Sequence, residues 1–223
     1  MGRLLAQELE SGQWPGLSYG GGSVSTDAPE AIFEGNDLVI DFTTKAATRA
    51  HLEAAIRLKK PLVIGTTGLD QDDLKRMEEA AKTCPILYSA NMSVGVNLLA
   101  VLVEQAASRL GEAFDIEIME THHRNKVDAP SGTALLLGRA TRREAEPIDR
   151  NGKRGTGTVG YAVQRGGDVI GEHSVSFFGP GERLELSHRA HDRSLFAKGA
   201  LRAAQWLIGQ PNGLYSMRDV LSL

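Results

Sequence analysis

The chain has 223 residues, of which 41% are hydrophobic and 24% charged, and its formal net charge is -3, values of an ordinary globular protein. No basic block or stripe stands out, which argues against a general nucleic-acid binder. No apolar run approaches the roughly 20 residues of a membrane-spanning helix, and the first residues lack the apolar region of a secretory signal. The single cysteine, Cys84, excludes an intrachain disulfide and suits a reducing compartment. We therefore expect a cytoplasmic protein that binds neither nucleic acid nor membrane.

Short apolar runs alternate with helix-like stretches in the first half of the chain. The apolar runs cover residues 38–40, 61–64 and 85–88. An alanine-rich helix is predicted over residues 45–58, and an amphipathic helix follows the second run. This alternation indicates a parallel sheet covered on both faces. Ligands of such sheets bind beyond the carboxyl ends of the strands, and three segments occupy those ends: Asp41-Phe42-Thr43, Gly65 to Gly68 and Ser89-Ala90-Asn91.

The second half has a different periodicity. A strongly apolar helix is predicted over residues 94–110, and the alternation that follows, with Ile116 and Ile118 on one face, is typical of a strand. Leu184, Leu186 and His188 share a face of a later predicted strand. Glycine-rich turns separate three such strands, which are predicted over residues 158–164, 169–178 and 183–189. We expect a mostly antiparallel or mixed sheet, hence a second domain, followed by helices over residues 194–208 and 215–221.

The segment from Glu120 to Ala134 carries most of the chemical information. It leaves a strand, crosses a loop rich in protonatable groups, and enters a helix predicted over residues 134–140. Ser131 and Thr133 are placed to cap this helix, and the N–H groups of its first turn form an anion site. Gly132 lets a ligand approach the backbone closely. A carboxylate is the ligand that we expect here.

Two histidines and a lysine precede this anion site. Histidine titrates near neutrality, so His122 or His123 could relay a proton, and the two side chains point to opposite sides if the strand continues through them. Lys126 could clamp a second carboxylate, or donate a proton if burial lowers its pKa. Taken alone, a His-His pair is usually structural and Ser-Gly-Thr is usually only a cap, but their combination favours function. No third ligand stands at a metal-binding spacing, so no metal ion is expected.

Residues 120–134 resemble the 4-hydroxy-tetrahydrodipicolinate reductase (dihydrodipicolinate reductase) family, whose signature Glu-x-His-His-x-x-Lys-x-Asp-Ala-Pro-Ser-Gly-Thr-Ala they match throughout. The likeness extends along the chain, through Asp41-Phe42-Thr43, Val63 to Gly68, Ala90 to Asn97, Gly171-Glu172-His173 and Met217 to Leu221. The resemblance implies an α/β protein. Its Rossmann-type, parallel-sheet cofactor domain would comprise residues 1–93 and 204–223. An α+β substrate-binding and tetramerisation domain with an open mixed sheet would comprise residues 94–203.

The same resemblance implies a reaction and a set of site residues. NADH or NADPH delivers a hydride to C4 of a conjugated cyclic imine with two carboxylates, and the resulting enamine is protonated. His122 is implied as proton donor or acceptor and Lys126 as the acid. His123, Ser131, Gly132 and Thr133 are implied to bind this small dicarboxylate substrate. The implied cofactor contacts are Gly2, Arg3, Phe42, Thr43, Gly65, Thr66, Thr67, Ala90, Asn91 and Met92. A homotetramer is the implied assembly.

The start of the chain departs from the family pattern. Met1-Gly2-Arg3 matches only the end of the phosphate-binding turn, so the first strand and most of the phosphate loop have no counterpart. The connections over residues 17–25 and 139–151 are also short. We expect these segments to belong to a longer chain, and an intact mass near 24.0 kDa would contradict that expectation.

Three other hypotheses stay open from the sequence. Another two-domain nicotinamide dehydrogenase is possible, but Ser-Gly-Thr after His-His and Lys speaks against it. A binding or regulatory protein that kept the substrate pocket and lost cofactor capture predicts ligand binding without turnover. A metal-dependent hydrolase is the weakest of the three.

Overall fold

The computed structural model describes residues 1–147 and 151–223. Within them the chain forms two compact units. Unit 1 comprises Met1–Val94 and Ser194–Leu223, and unit 2 comprises Gly95–Arg193. The short connection noted over residues 139–151 therefore lies partly outside the described residues.

The strands and helices follow one another in an order typical of two α/β units. The strands are β1 (Val39–Asp41), β2 (Leu62–Ile64), β3 (Pro85–Tyr88), β4 (Asp115–His122), β5 (Glu144–Ala145), β6 (Thr158–Arg165), β7 (Gly171–Gly179), β8 (Glu182–Ala190) and β9 (Gly213–Tyr215). The helices are α1 (Gly2–Glu10), α2 (Ala31–Glu34), α3 (Lys45–Leu58), α4 (Gln71–Ala80), α5 (Val94–Leu110), α6 (Gly132–Ala140), α7 (Ser194–Leu207) and α8 (Met217–Leu221). Among the described residues, no helix combines the length and apolarity that a membrane span needs.

Unit 1 contains a parallel sheet in the order β1-β2-β3-β9. Apart from Asp41 at the end of β1, its strands are largely apolar because helices cover both faces. Val63 and Leu87 pack with α1 and α7 on one face, whereas Ile64 and Ile86 pack with α3 and α4 on the other. Thr44 caps α3 through its side chain. The predicted parallel sheet of a Rossmann-type unit is confirmed.

The chain returns to unit 1 earlier than the sequence analysis placed it. All of α7 belongs to unit 1, whereas residues up to 203 were assigned to the substrate domain. The physical reason is the apolar face of this helix, since Ala197, Ala200 and Leu201 are buried in the same cluster as Val63 and Leu87. Which unit binds cofactor and which binds substrate stays a prediction at this point.

The terminal segment contains a strand as well as a helix. The helix predicted over residues 215–221 begins only at Met217, because Ser216 caps α8 in a reciprocal arrangement with Asp219. Residues before the cap form β9, where Leu214 pairs with Ile86 and Tyr215 with Leu87. The prediction that Tyr215 is helical is wrong.

Unit 2 is built on a five-stranded mixed sheet in the order β5-β6-β4-β7-β8. β4 pairs parallel with β6 and antiparallel with β7, so the predicted mixed sheet is confirmed. One face packs against α5 and α6 and contains Ile116, Ile118, Val175 and Phe177. Leu184, Leu186 and His188 lie opposite Phe177, Val175 and His173 in the register and therefore share this face, as predicted.

The other face of this sheet is more accessible, and we call it the open face. Met119 and Phe178 on it are 47% and 40% exposed. Around them lie the hydroxyl side chains of Thr121, Ser174 and Ser176. Small and apolar groups that stay accessible on a regular sheet are typical of a surface that can pack against another sheet.

Candidate active site

The cofactor contacts predicted in unit 1 come together at one edge of the parallel sheet. Phe42 and Thr43 directly follow β1, residues 65–67 follow β2, and residues 90–92 follow β3. These strands are parallel neighbours, so their carboxyl ends lie at the same edge. Gly2 and Arg3 are exposed at the beginning of α1.

A buried carboxylate links the first two of these segments. Asp41 is 1% exposed. Its Oδ1 accepts hydrogen bonds from the Thr43 amide at 2.9 Å and from the Thr66 hydroxyl at 3.3 Å, and its Oδ2 lies 3.2 Å from His51 Nδ1. Burial by itself raises the pKa of Asp41, but these bonds, led by the one to His51, hold it below its ordinary value. An ionised Asp41 therefore fixes both loops.

Backbone and ring surfaces at this edge fit a flat ligand. A Cβ added at Gly65 would lie 2.2 Å from the Phe42 ring, so the ring can rest on the backbone only because residue 65 is glycine. Thr43, Thr67 and Ala90 are exposed at the edge. These features leave an accessible surface beyond the carboxyl ends of the strands, where ligands of open parallel sheets bind.

Met92 has a structural as well as a predicted binding position. Its side chain is 1% exposed and belongs to the core of unit 1. A Cβ added at Gly199 of α7 would lie 1.7 Å from the Met92 carbonyl oxygen. Met92 is thus a core residue whose backbone α7 approaches as closely as a glycine permits, and its contact with a cofactor stays a prediction.

In unit 2, strand β4 places a glutamate and a histidine on the same buried face. Glu120 and His122 are two residues apart in a strand, so their side chains point the same way. They are 1% and 7% exposed. Glu120 Oε2 is hydrogen bonded to His122 Nδ1. His123 follows the end of the strand and is half-buried.

The helix entry at Ser131 is joined to the same glutamate. Ser131 is the N-cap of α6, and its hydroxyl accepts a hydrogen bond from the Ala134 amide at 3.2 Å. The Ser131 amide donates to Glu120 Oε1 at 3.1 Å. Ser131 Oγ also lies 3.1 Å from His173 Nε2. Thr133 is the second residue of α6, so the prediction that it caps the helix is wrong and Ser131 takes that position.

Arg165 of β6 completes the surroundings of the glutamate. Its guanidinium donates to Glu120 Oε1 at 2.9 Å. It also donates to the carbonyl oxygens of Lys126 and Asp128, at 3.3 and 2.6 Å. One side chain therefore both pairs with the buried carboxylate and holds the loop between β4 and α6.

The remaining predicted substrate residues lie on that loop and at the helix start. Lys126 is half-buried, and its Nζ donates to Asp128 Oδ1 at 2.7 Å. Gly132 is exposed, with open space where a Cβ would stand. The amides of Gly132 and Thr133 belong to the first turn of α6, at the positive end of the helix dipole. The predicted residues of unit 2 are thus gathered around the start of α6.

Burial is the main cause that lowers the pKa of both buried histidines, and the surrounding charges modify its effect. Burial lowers the pKa of His122, with Glu120 opposing the shift and Lys126 and Arg165 adding to it. Burial, reinforced by His122, lowers the pKa of His173 to about 4. Burial raises the pKa of Glu120, but the hydrogen bonds from Arg165 and Ser131 outweigh it and hold the pKa below its ordinary value.

Glu120, His122 and His173 also form a grouping of the kind that can bind a metal ion, since each offers an atom within 4.8 Å of the others. The carboxylate oxygens of Glu120, however, already accept from Arg165, from the Ser131 amide and from His122. A guanidinium beside the carboxylate also disfavours a second cation. These contacts favour a hydrogen-bonded network, and a metal-free site stays a prediction.

The sequence analysis gave no role to Glu120, Arg165 or His173. A signal for Glu120 was present, because it continues the face of Ile116 and Ile118, and a carboxylate on an apolar face needs partners. The positions of the other two depend on strand register, in which Glu120 lies opposite His173 and His122 beside Arg165. Register between distant strands cannot be read from the local sequence.

Comparison with known proteins adds two family matches. Residues 5–92 match the family described as "Dihydrodipicolinate reductase, N-terminus", and residues 95–221 match "Dihydrodipicolinate reductase, C-terminus". A 4-hydroxy-tetrahydrodipicolinate reductase of Zymomonas mobilis is 47% identical over 238 residues, covering 100% of this chain and 93% of its own. That of Thiobacillus denitrificans is 49% identical over 224 residues, covering 95% of this chain and 84% of its own.

Two solved structures share the fold. "Dipicolinate bound Dihydrodipicolinate reductase from Paenisporosarcina sp. TG-14" superposes with a TM-score of 0.65 at 22% identity, covering 86% of this chain and 76% of that one. A "probable dehydrogenase from Thermotoga maritima" superposes with a TM-score of 0.57 at 12% identity, covering 87% and 77%. At these identities the likeness concerns architecture.

Proposed function

Because the chain belongs to the dihydrodipicolinate reductase family, we propose that it reduces 4-hydroxy-tetrahydrodipicolinate to tetrahydrodipicolinate with a reduced nicotinamide cofactor. In this reaction the substrate gains a hydride and a proton and loses one water molecule. The observation that carries the proposal is the joining of a helix N-terminus, Ser131 and a glutamate-bound histidine in unit 2. The family relationship favours it over a non-catalytic binding protein or another dehydrogenase.

The substrate carboxylates bind to positive and N–H-donating groups of unit 2. One carboxylate accepts from the first-turn amides of α6 at Gly132 and Thr133, where the helix dipole also favours a negative charge. The ammonium group of Lys126 and the ring of His123 stand on the preceding loop to contact the second carboxylate and the substrate ring. Neutralising both charges fixes the ring in one orientation.

Protons reach the substrate from His122 and Lys126. His122 has one ring nitrogen bound to Glu120, so the other nitrogen is the one that exchanges a proton with the substrate. Lys126 carries a proton at Nζ and is held by Asp128 at 2.7 Å. Both groups act by proton transfer and charge stabilisation while the substrate is held in place.

The nicotinamide cofactor, when bound, supplies the hydride. In unit 1 the segments at residues 42–43, 65–67 and 90–92, at the carboxyl ends of β1 to β3, would hold it together with Gly2 and Arg3 of α1. Both NADH and NADPH are substrates in this proposal. The hydrogen bonds of Asp41 and the packing of the Phe42 ring on Gly65 support this cofactor site, because they fix the loops that the nicotinamide ring would contact.

We further propose a cytoplasmic homotetramer that assembles through the open face of unit 2. The exposed Met119 and Phe178 support this assembly, since burying apolar surface drives association. The single cysteine is buried, and burial raises the pKa of Cys84 to about 11, which suits a reducing compartment without using the thiol.

Turnover tests the proposed reaction directly. Purified protein is mixed with freshly generated substrate and with NADH or NADPH, and consumption of the reduced cofactor is followed by its near-ultraviolet absorbance. We expect turnover, and we expect His122→Gln and Lys126→Ala each to lower kcat by about 100-fold or more while the protein stays folded. Wild-type rates in both variants, or a wild-type protein without turnover, would refute the proposal.

Binding of dipicolinate, a planar dicarboxylate, separately tests the proposed carboxylate-binding site at the start of α6. Thr133→Ala keeps the backbone amide but removes the hydroxyl, which we propose as a further donor to the same carboxylate. The variant is expected to weaken dipicolinate binding and raise KM about tenfold, since a hydrogen bond to a charged group contributes roughly 1.5–3 kcal/mol. Its kcat should change much less. The matched control is Thr67→Ala in unit 1, which should leave dipicolinate affinity unchanged. Isothermal titration of each variant gives the comparison.

A further inference from the structure

We propose that Glu120 is a positioning residue of this enzyme, which holds His122 in the tautomer with its proton on Nδ1 and so reserves Nε2 for the reaction. The inference rests on the proposed function for the reaction that His122 serves. The hydrogen bonds that orient His122 are independent of that proposal. Glu120 itself is buried behind the histidine and touches Ser131, Arg165 and His122 rather than the open helix start.

The hydrogen bonds around Glu120 determine which nitrogen of His122 carries the proton. The Arg165 guanidinium and the Ser131 amide donate to Oε1, and Oε2 faces His122 Nδ1. An ionised carboxylate only accepts hydrogen bonds. Nδ1 must therefore donate, and in the neutral ring Nε2 then carries the lone pair. When His122 becomes an imidazolium, Nε2 is the nitrogen that can release a proton to a substrate.

The surroundings of Nε2 leave room for this exchange. A Cβ added at Gly171 would lie 3.0 Å from His122 Nε2, so the glycine keeps that side of the ring clear. The His173 ring contacts His122 edge-on, with ring centroids 5.0 Å apart. Because Ser131 lies beside Nε2 of His173, that ring is held in place by the helix cap. His122 is thus oriented from two sides.

The charged and titratable groups that face His122 are Glu120 on its own strand, Arg165 on β6, Lys126 on the loop and His173 on β7. Glu120 is the group among them whose charge favours the imidazolium, while the two cations oppose it. Removing the carboxylate charge therefore lowers the pKa of His122 further. Since the reaction consumes a proton, the alkaline decline of kcat should begin at a lower pH when Glu120 is neutral.

Glu120→Gln reverses the hydrogen-bond direction with little change of shape. The amide oxygen can still accept from Arg165 and Ser131, which places the amide N–H group against His122 Nδ1. Nδ1 must then accept, and the ring proton moves to Nε2. The matched control is Glu172→Gln on β7, a half-exposed carboxylate on the open face that pairs with Arg189 at 3.6 Å.

Nitrogen NMR of histidine-labelled protein at alkaline pH, with His122→Gln used to identify the signals, reads the tautomer directly. We expect the proton on Nδ1 in the wild type and in Glu172→Gln, and on Nε2 in Glu120→Gln. Glu120→Gln should also lose about 100-fold in kcat, the lower end of what a positioned acid–base group contributes, with KM within about threefold and an alkaline limb at lower pH.

Several outcomes overturn the inference. If the neutral His122 ring of the wild type carries its proton on Nε2, the inference is overturned without any activity measurement. This result is decisive even if Glu120→Gln fails to fold. Unchanged kcat and pH profile in a folded Glu120→Gln, or an equal loss in Glu172→Gln, also overturn it. A wild-type protein with the Nδ1 tautomer but no turnover would refute the proposed reaction and leave the positioning of His122 supported.

Discussion

His173 is buried in a position where a positive charge would be poorly solvated. It is 5% exposed and faces His122 and the hydroxyl of Ser131. Its pKa, lowered by burial to about 4, lies below that of a histidine in the unfolded chain. The unfolded chain therefore binds more protons than the folded one between these two values. Stability is full above a pH of about 6.5 and is lost as the pH falls toward 4.

A prediction for the free energy of unfolding follows from this linkage. Lowering the pH from about 7 to about 5 should cost on the order of 2 kcal/mol through His173 alone. In His173→Gln this part of the pH dependence disappears, so urea unfolding at the two pH values should differ less than in the wild type. His191→Gln, which removes an exposed histidine, is the control. An identical pH dependence in wild type and His173→Gln would contradict the prediction.

Among the strands, β4 and β6 are tied together by one half-buried cation, Arg154. The Arg154 guanidinium donates to Asp115 at 2.9 Å and to Glu117 at 3.0 Å. It also donates to the carbonyl oxygens of Ile116 and Thr158, at 2.9 and 2.7 Å. The residues just before β6 are thereby fixed to the first half of β4. This tie supports the register that brings Arg165 beside Glu120 at the other end of the strands.

Arg154→Met should destabilise the protein without touching the site. Removing the guanidinium leaves carbonyl and carboxylate groups without their donor, at a cost of roughly 1–3 kcal/mol in the free energy of unfolding. Arg76→Met serves as control, because Arg76 is an exposed residue of α4 in unit 1; its loss should change stability by about 0.5 kcal/mol or less. Equal effects of the two substitutions in thermal or urea unfolding would argue against a structural role for Arg154.

Sequence periodicity was sufficient to predict most helices and strands, but it did not predict which strands pair with each other. The alternation around Ile116 and the continuous apolar run of β2 indicated a mixed and a parallel sheet, and both are confirmed. β9 was missed because a three-residue strand containing Gly213 has too few positions to show a period. Helix α7 was divided wrongly because its apolar face does not reveal which core it joins.

The site residues that lie in one continuous segment of the sequence could be predicted. Residues 120–134 contain the histidines, Lys126 and the helix cap in one segment. Arg165 and His173 come from strands more than thirty residues away, and only the pairing of β4 with β6 and β7 brings them to Glu120. A family resemblance names positions, but it does not state which hydrogen bonds hold them.

For the molecule as a whole, the open face of unit 2 predicts the state of assembly. Light scattering should give a mass four times the subunit mass that intact mass spectrometry measures for the same protein. Ser174 lies opposite Met119 and Ser187 on this face, so Ser174→Arg should place a charge in the subunit contact and yield smaller species. Glu53→Arg, an exposed change on α3 of unit 1, should leave the mass unchanged. A wild-type monomer, or an intact tetramer in Ser174→Arg, would contradict the proposed assembly.

The close approach of Gly199 to the Met92 carbonyl also bears on how the chain connects the two units. The chain departs from unit 1 after Val94 and re-enters it at Ser194. Met92 and Gly199, close to these two crossing points, touch backbone to backbone. Unit 2 is therefore an insert whose two ends are anchored side by side. A few flexible residues joining Val94 to Ser194 should therefore bridge the gap that excision of unit 2 would leave, and unit 1 would remain one continuous chain.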